Sequence, residues 1–194
     1  MKNLILIIVL AVGFTATAQG KPEGLFINSK APDIKAKDQN GGDVVLKDLR
    51  KKGPVVVLFY RGHWCPYCNK ELSRFQDSLQ LLTDKGATLI AITPESTEGI
   101  NQTIAKTGAT FPIVFDEGMH ISKKYGVSFV VDDKTAARYK NFGTDLLQIN
   151  RQKTPTLPVP AVYVINRDGT ITYRFFESDY KRRPSVQEII QHLN

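Results

Sequence analysis

Apolar residues along this chain recur in short blocks, and the spacing within each block predicts its element. After the turn signal Asn40-Gly41-Gly42, the run Asp43-Val44-Val45-Leu46 reads as a short strand closing a hairpin. Behind Pro54, Val55-Val56-Val57-Leu58-Phe59-Tyr60 is continuous, β-branched and aromatic, the pattern of a strand buried on both faces. From residue 66 to 85 the period changes. Leu72, Phe75, Leu79 and Leu82 recur at three- and four-residue steps, and Gly86 supplies a helix stop. Residues 87–93 and 111–115 read as strands, with a helix over 96–106 between them, capped by Ser96 and weakened by Gly99. A short helix over 119–125 ends at Gly126. Strands over 161–165 and 170–175 flank the turn Asn166-Arg167-Asp168-Gly169, and residues 185–193 close the chain as a helix. This alternation predicts an α/β fold: a mixed central sheet covered by helices on both faces.

Residues 128–160 fit the alternation poorly. A helix over 134–149, interrupted at Gly143, would present Tyr139, Phe142, Leu146 and Leu147 at helical spacing, which favours packing on the core over a lid. There is no internal repeat, low-complexity tract or linker, so one domain is expected over 19–194. The 194 residues are 42% hydrophobic and 23% charged, which excludes collagen-like and wholly disordered chains. Lys plus Arg exceed Asp plus Glu by 26 to 19, a net charge of +7. The excess is dispersed, with small knots at Arg50-Lys51-Lys52 and Lys181-Arg182-Arg183, and reads as a solvated surface with no nucleic-acid partner.

Residues 1–18 read as an export leader. Lys2 precedes an apolar run from Leu4 to Phe14, and Ala16-Thr17-Ala18 gives the small-x-small pattern of signal peptidase sites. The run is shorter than the roughly 20 residues a membrane span needs, so no stable membrane insertion is expected. Cleavage after Ala18 would release a chain starting at Gln19 into an oxidising space, the periplasm or the exterior.

Two cysteines cannot staple a fold, yet their placement carries chemistry. Cys65-Pro66-Tyr67-Cys68 lies where the buried strand gives way to the helix. First-turn amides and the helix dipole stabilise a thiolate there. Pro66 suits the first helical position. The i, i+3 spacing brings both sulfurs onto one face, within reach of a disulfide. A redox pair is the favoured reading. The alternatives are a structural disulfide, which would close only a four-residue loop, and a metal site, for which His63, His120 and His192 lack paired spacing. No nucleotide-binding glycine pattern follows any strand, so no cofactor is implied.

The segment Leu58-Phe59-Tyr60-Arg61-Gly62-His63-Trp64-Cys65-Pro66-Tyr67-Cys68-Asn69-Lys70-Glu71-Leu72 resembles the active site of the alkyl hydroperoxide reductase/thiol-specific antioxidant (AhpC/TSA) family. More closely, it is similar to peroxiredoxin-like members with a thioredoxin-style CxxC. Ala31-Pro32-Asp33, Phe111-Pro112-Ile113-Val114-Phe115-Asp116, Tyr125-Gly126-Val127 and the stretch from Leu157 to Gly169 resemble further parts of the family. The resemblance implies a thioredoxin fold. Aligned to the family's PxxxTxxC array, Cys68 falls on the peroxidatic cysteine, Cys65 on the Thr and Arg61 on the Pro. The family's distant Arg aligns near Pro160, which instead matches the cis-proline that thioredoxins hold against their CxxC.

Physics and resemblance order the cysteines differently. Cys65, at the helix start, should be the more exposed and more acidic thiol. The alignment makes Cys68 the residue that attacks peroxide, with Cys65 resolving it as an intramolecular disulfide. Arg61 and His63 are candidate cations for the thiolate. Trp64, Pro66 and Pro160 are expected to shape the site, Pro160 as a cis peptide. The implied activity is a thiol-dependent peroxidase acting on hydrogen or organic peroxides, with a thioredoxin-like protein as electron donor. The alternatives are a thioredoxin-like protein-disulfide reductase and a redox-inactive binding module.

Overall fold

A computed structural model describes residues 21–193; the export leader expected over residues 1–18 lies outside them. Strand β1 (Lys35–Lys37) and strand β2 (Asp43–Val45) form the expected antiparallel hairpin, and helix α1 (Leu46–Lys52) follows at once. Strand β3 (Val55–Phe59) is the centre of the molecule. It pairs in parallel with β4 (Thr88–Thr93) and antiparallel with β8 (Ala161–Ile165). Strand β5 (Ile113–Phe115) extends the β4 side and β9 (Ile171–Phe176) the β8 side, giving the order β5-β4-β3-β8-β9. The edge strand β5 starts two residues later than its sequence suggests because Pro112, lacking an N–H, contributes only its carbonyl, which accepts from Ala91.

Every residue of β3 is buried, and the period-two alternation divides them between two cores. Val56, Leu58 and Tyr60 face one core, which includes Leu72 and Phe75 of helix α2 (Pro66–Asp77) and Ile100 of helix α4 (Thr97–Thr107). It also takes Leu82 of helix α3 (Leu79–Asp84) and Ile189 of helix α8 (Val186–Ile190). Val55, Val57 and Phe59 face the other, with Ile34, Val44, Leu46 and Tyr125, the last at the end of helix α5 (His120–Lys124). The helix expected over 66–85 is two helices broken at Ser78, with the apolar phase preserved: Leu72, Phe75 and Leu82 are all buried.

The 128–160 region departs most from its sequence reading. It contains strand β6 (Ser128–Val130), helix α6 (Asp133–Asn141), helix α7 (Leu146–Ile149) and strand β7 (Thr156–Pro158), with β6 and β7 paired antiparallel. The chain turns between the helices at Gly143, whose φ of +82° ends the helical run, so one continuous apolar face does not form. Leu146 is buried, but Phe142 is 82% exposed and Leu147 is also exposed. What does pack is a small cluster of Val131, Leu146 and Leu157, against which Tyr139 and Trp64 lie. Among the described residues no helix is long and apolar enough to cross a membrane.

Candidate active site

Strand β3 delivers the site. Tyr60 makes the last ladder bond, its N–H to the Ile92 carbonyl, and the chain then turns through Arg61-Gly62-His63-Trp64 into Cys65. Gly62 makes this turn possible. Its φ is +152°, and a Cβ there would sit 2.5 Å from both Glu95 Oε1 and Trp64 Nε1. Cys65 is the N-cap of α2, with Pro66 at the first helical position. Its sulfur takes the acceptor role of a capping oxygen, receiving the Cys68 N–H at 3.3 Å. Both cysteines are free thiols, and both are 0% exposed, so Cys65 is not the more accessible of the two.

Each sulfur faces its own guanidinium. Arg61 Nη2 donates to Cys65 Sγ at 3.4 Å while Nη1 donates to the Tyr139 hydroxyl at 3.1 Å. The Arg61 guanidinium is stacked, 4.0 Å from the Tyr180 ring centroid and 5.0 Å from that of Trp64. The hydrogen bond from the Cys68 thiol, then the charge and hydrogen bond of Arg61, outweigh burial and push the Cys65 thiol down to about 5. Cys68 moves the other way. Burial raises it first, and donating its proton to the Cys65 sulfur raises it further.

The second guanidinium comes from residues 177–185, the strap between β9 and α8. Arg183 Nη2 lies 3.6 Å from Cys68 Sγ, and Nε donates to Glu71 Oε2 at 2.6 Å. Arg183 and Glu71 are both buried, and burial lifts the Glu71 carboxyl to about 7 against the pull of Arg183. Tyr180 of the strap also meets Tyr67 edge-on, with centroids 5.8 Å apart.

Arg61 therefore stands where a thiolate cation is expected, but His63 does not. The His63 side chain turns to Glu95: Nδ1 is 2.6 Å from Oε1, and the His63 backbone N–H donates to Oε2 at 2.7 Å. Pro160 is buried between β7 and β8, and its peptide is trans, because no cis bond occurs among the described residues. The Val159 N–H bonds the Val127 carbonyl and Ala161 pairs with Phe59, so no tight turn at Pro160 demands the isomer that proline disfavours anyway.

Glu95, Glu71, Tyr139, Tyr180 and Arg183 escape the sequence reading. Glu71 alone leaves a trace, since it stands three residues after Cys68 on the face that carries Leu72 and Phe75. Glu95 fixes the turn from the end of β4. Glu95→Gln is expected to destabilise the reduced protein by about 2 kcal/mol, because an amide offers one acceptor to two close donors. Urea unfolding at neutral pH measures this, and an unchanged midpoint would show that the pairing carries no weight.

A profile of the AhpC/TSA family matches residues 27–174. The chain belongs to the AhpC/TSA family. It is 33% identical over 138 residues to the thiol-disulfide oxidoreductase ResA of Bacillus thuringiensis subsp. konkukian, covering 66% of this chain and 78% of that protein. It is 34% identical over 165 residues to the chloroplastic peroxiredoxin Q of Sedum lineare, covering 85% of this chain and 76% of that one. Among solved structures, peroxidoxin BcpB of Mycobacterium tuberculosis superposes with a TM-score of 0.67 at 17% identity, over 86% of this chain and 94% of that one. The thioredoxin domain of a thiol-disulfide oxidoreductase from Bacteroides vulgatus gives 0.59 at 18%, over 88% and 99%. The fold is the thioredoxin fold, and this AhpC/TSA chain is a thioredoxin-like oxidoreductase.

Proposed function

We propose that the protein is a thiol-dependent peroxidase in which Cys65, rather than the aligned Cys68, attacks hydrogen or organic peroxides. The observation that carries this reading is the Arg61 guanidinium on an ionised Cys65 sulfur closed off from the surface. A buried thiolate suits a small substrate, and a guanidinium beside it can polarise an O–O bond while stabilising the departing oxygen. The thiolate takes one peroxide oxygen and becomes a sulfenic acid, and the other oxygen leaves as water or alcohol. Cys68 then displaces the sulfenic oxygen as water, giving the Cys65–Cys68 disulfide. A thioredoxin-like protein supplies the two electrons that reset it.

A second reading, a protein-disulfide reductase, is favoured by the same acidic N-cap cysteine backed by a protonated partner three residues on. One comparison separates the two. Reduced protein is given hydrogen peroxide with a dithiol reductant, and in parallel insulin with the same reductant. Peroxide consumption without accelerated insulin precipitation is the expected result; the reverse selects the reductase. We also place the protein outside the cytoplasm, with cleavage after Ala18, and N-terminal sequencing of the exported chain is expected to read Gln19 first.

A further inference from the structure

The knot Lys181-Arg182-Arg183 looks like solvated surface in the sequence, yet its third member is buried against the dithiol. The side chain of Arg183 is 6% exposed, and three of its nitrogens are committed in three directions. Nε is held by Glu71, which is itself only 4% exposed. Nη1 is held by two strap carbonyls, those of Tyr180 and Arg182. That leaves Nη2, which faces the Cys68 sulfur at 3.6 Å. The guanidinium is planar and rigid, so two anchored nitrogens fix the aim of the third.

We propose that Arg183 is a catalytic residue of the second half-reaction: its guanidinium, pinned by Glu71, holds Cys68 as the thiolate that attacks the oxidised Cys65. The proposal rests on the reading that Cys65 reacts first. In the resting site Cys68 stays protonated, first because it is buried and then because it donates to a thiolate already beside it on Cys65. Once Cys65 is a neutral sulfenic acid or mixed disulfide, that opposing charge is gone and Arg183 remains. The two arginines thus act in sequence, Arg61 on the first sulfur and Arg183 on the second. The charged and titratable groups facing Cys68 are Cys65, Arg61 and Tyr60 from the strand–helix turn, and Arg183 from the strap with Glu71 behind it.

A small neutral disulfide, 4,4′-dithiodipyridine, reads the two steps separately. The Cys65 thiolate attacks one sulfur of the probe, forming a mixed disulfide and releasing the first thiopyridone. The Cys68 thiolate then attacks the Cys65 sulfur, forming the intramolecular disulfide and releasing the second, whose nitrogen ends with the proton that Cys68 gave up. Two thiols lose two electrons and one probe molecule gains them.

In Arg183→Gln, the ratio of second to first release rate is expected to fall by about 3- to 30-fold at neutral pH. Losing an adjacent opposite charge raises a thiol by roughly 1 to 3 pH units, and a more basic thiolate recovers about half of each tenfold loss. The pH midpoint of the second release alone moves up. A strap that merely packs would change both releases together. Because Arg183→Gln strands Glu71 as a buried carboxyl, the paired variant Arg183→Gln/Glu71→Gln is measured beside it, with folding checked by circular dichroism. A ratio within twofold of native in the folded pair overturns the role of Arg183. If mass spectrometry of the native mixed disulfide finds the probe on Cys68, or no first release occurs, the Cys65-first reading falls, and this one with it.

Discussion

Cys65→Ser is expected to abolish turnover, while Cys68→Ser completes one round and stops. Without Cys65 the remaining sulfur is Cys68, which burial raises and which lacks the Arg61 guanidinium that polarises the peroxide, so the loss should be on the order of 10³-fold or more, the scale of removing a covalent nucleophile. In Cys68→Ser the serine hydroxyl can still donate to Cys65, and Arg61 is untouched. The attacking thiolate therefore survives and the reaction halts with an oxidised Cys65. One equivalent of peroxide followed by dimedone trapping and mass spectrometry reads the outcome: a sulfenic adduct at Cys65 in Cys68→Ser, and none in Cys65→Ser. An adduct at Cys68 in Cys65→Ser would restore the order given by alignment to the PxxxTxxC array.

The second large effect belongs to Arg61. Native Cys65 is ionised down to about pH 5, so its alkylation by iodoacetamide should be flat from neutral pH to that point and fall below it. The Cys68 hydrogen bond persists in Arg61→Gln, but the adjacent charge and its hydrogen bond are gone. An opposite charge at this range is worth roughly 1 to 3 pH units, so the midpoint should rise to between about 6 and 8. The sign is set by the thiolate fraction: below its new midpoint the variant slows about tenfold per unit while the native protein does not. Above pH 8 the order reverses, because the less stabilised thiolate is the better nucleophile. Superimposable profiles would remove Arg61 from the chemistry.

Much of this architecture is legible in the chain because it follows from local pattern. The all-apolar run of β3, the switch to helical spacing after Cys65 and the hairpin glycines each predict their element without tertiary information. The acidity of Cys65 is legible for the same reason, since its causes are near in sequence: the Cys68 thiol three residues on, Arg61 four residues before, and the first-turn amide. What escapes is long-range. Arg183 reaches Cys68 across 115 positions, and Glu95 reaches His63 across 32. No spacing rule distinguishes Arg183, whose side chain is buried, from its exposed neighbours Lys181 and Arg182. Residues 128–160 mislead because Gly143 resets the helical phase, turning Phe142 outward.

The acidity of Cys65 also bears on how readily the oxidised pair accepts electrons. Whatever stabilises the dithiol relative to the disulfide raises its reduction potential. At pH 7, a thiol ionising near 5 in place of 9 lowers the free energy of the reduced form by about 3 kcal/mol, or about 60 mV for a two-electron couple. Cys68, protonated at pH 7 in either setting, adds nothing to this. The pair should therefore be regenerated by comparatively weak donors, and should be slow to lose electrons to the disulfides of an oxidising compartment.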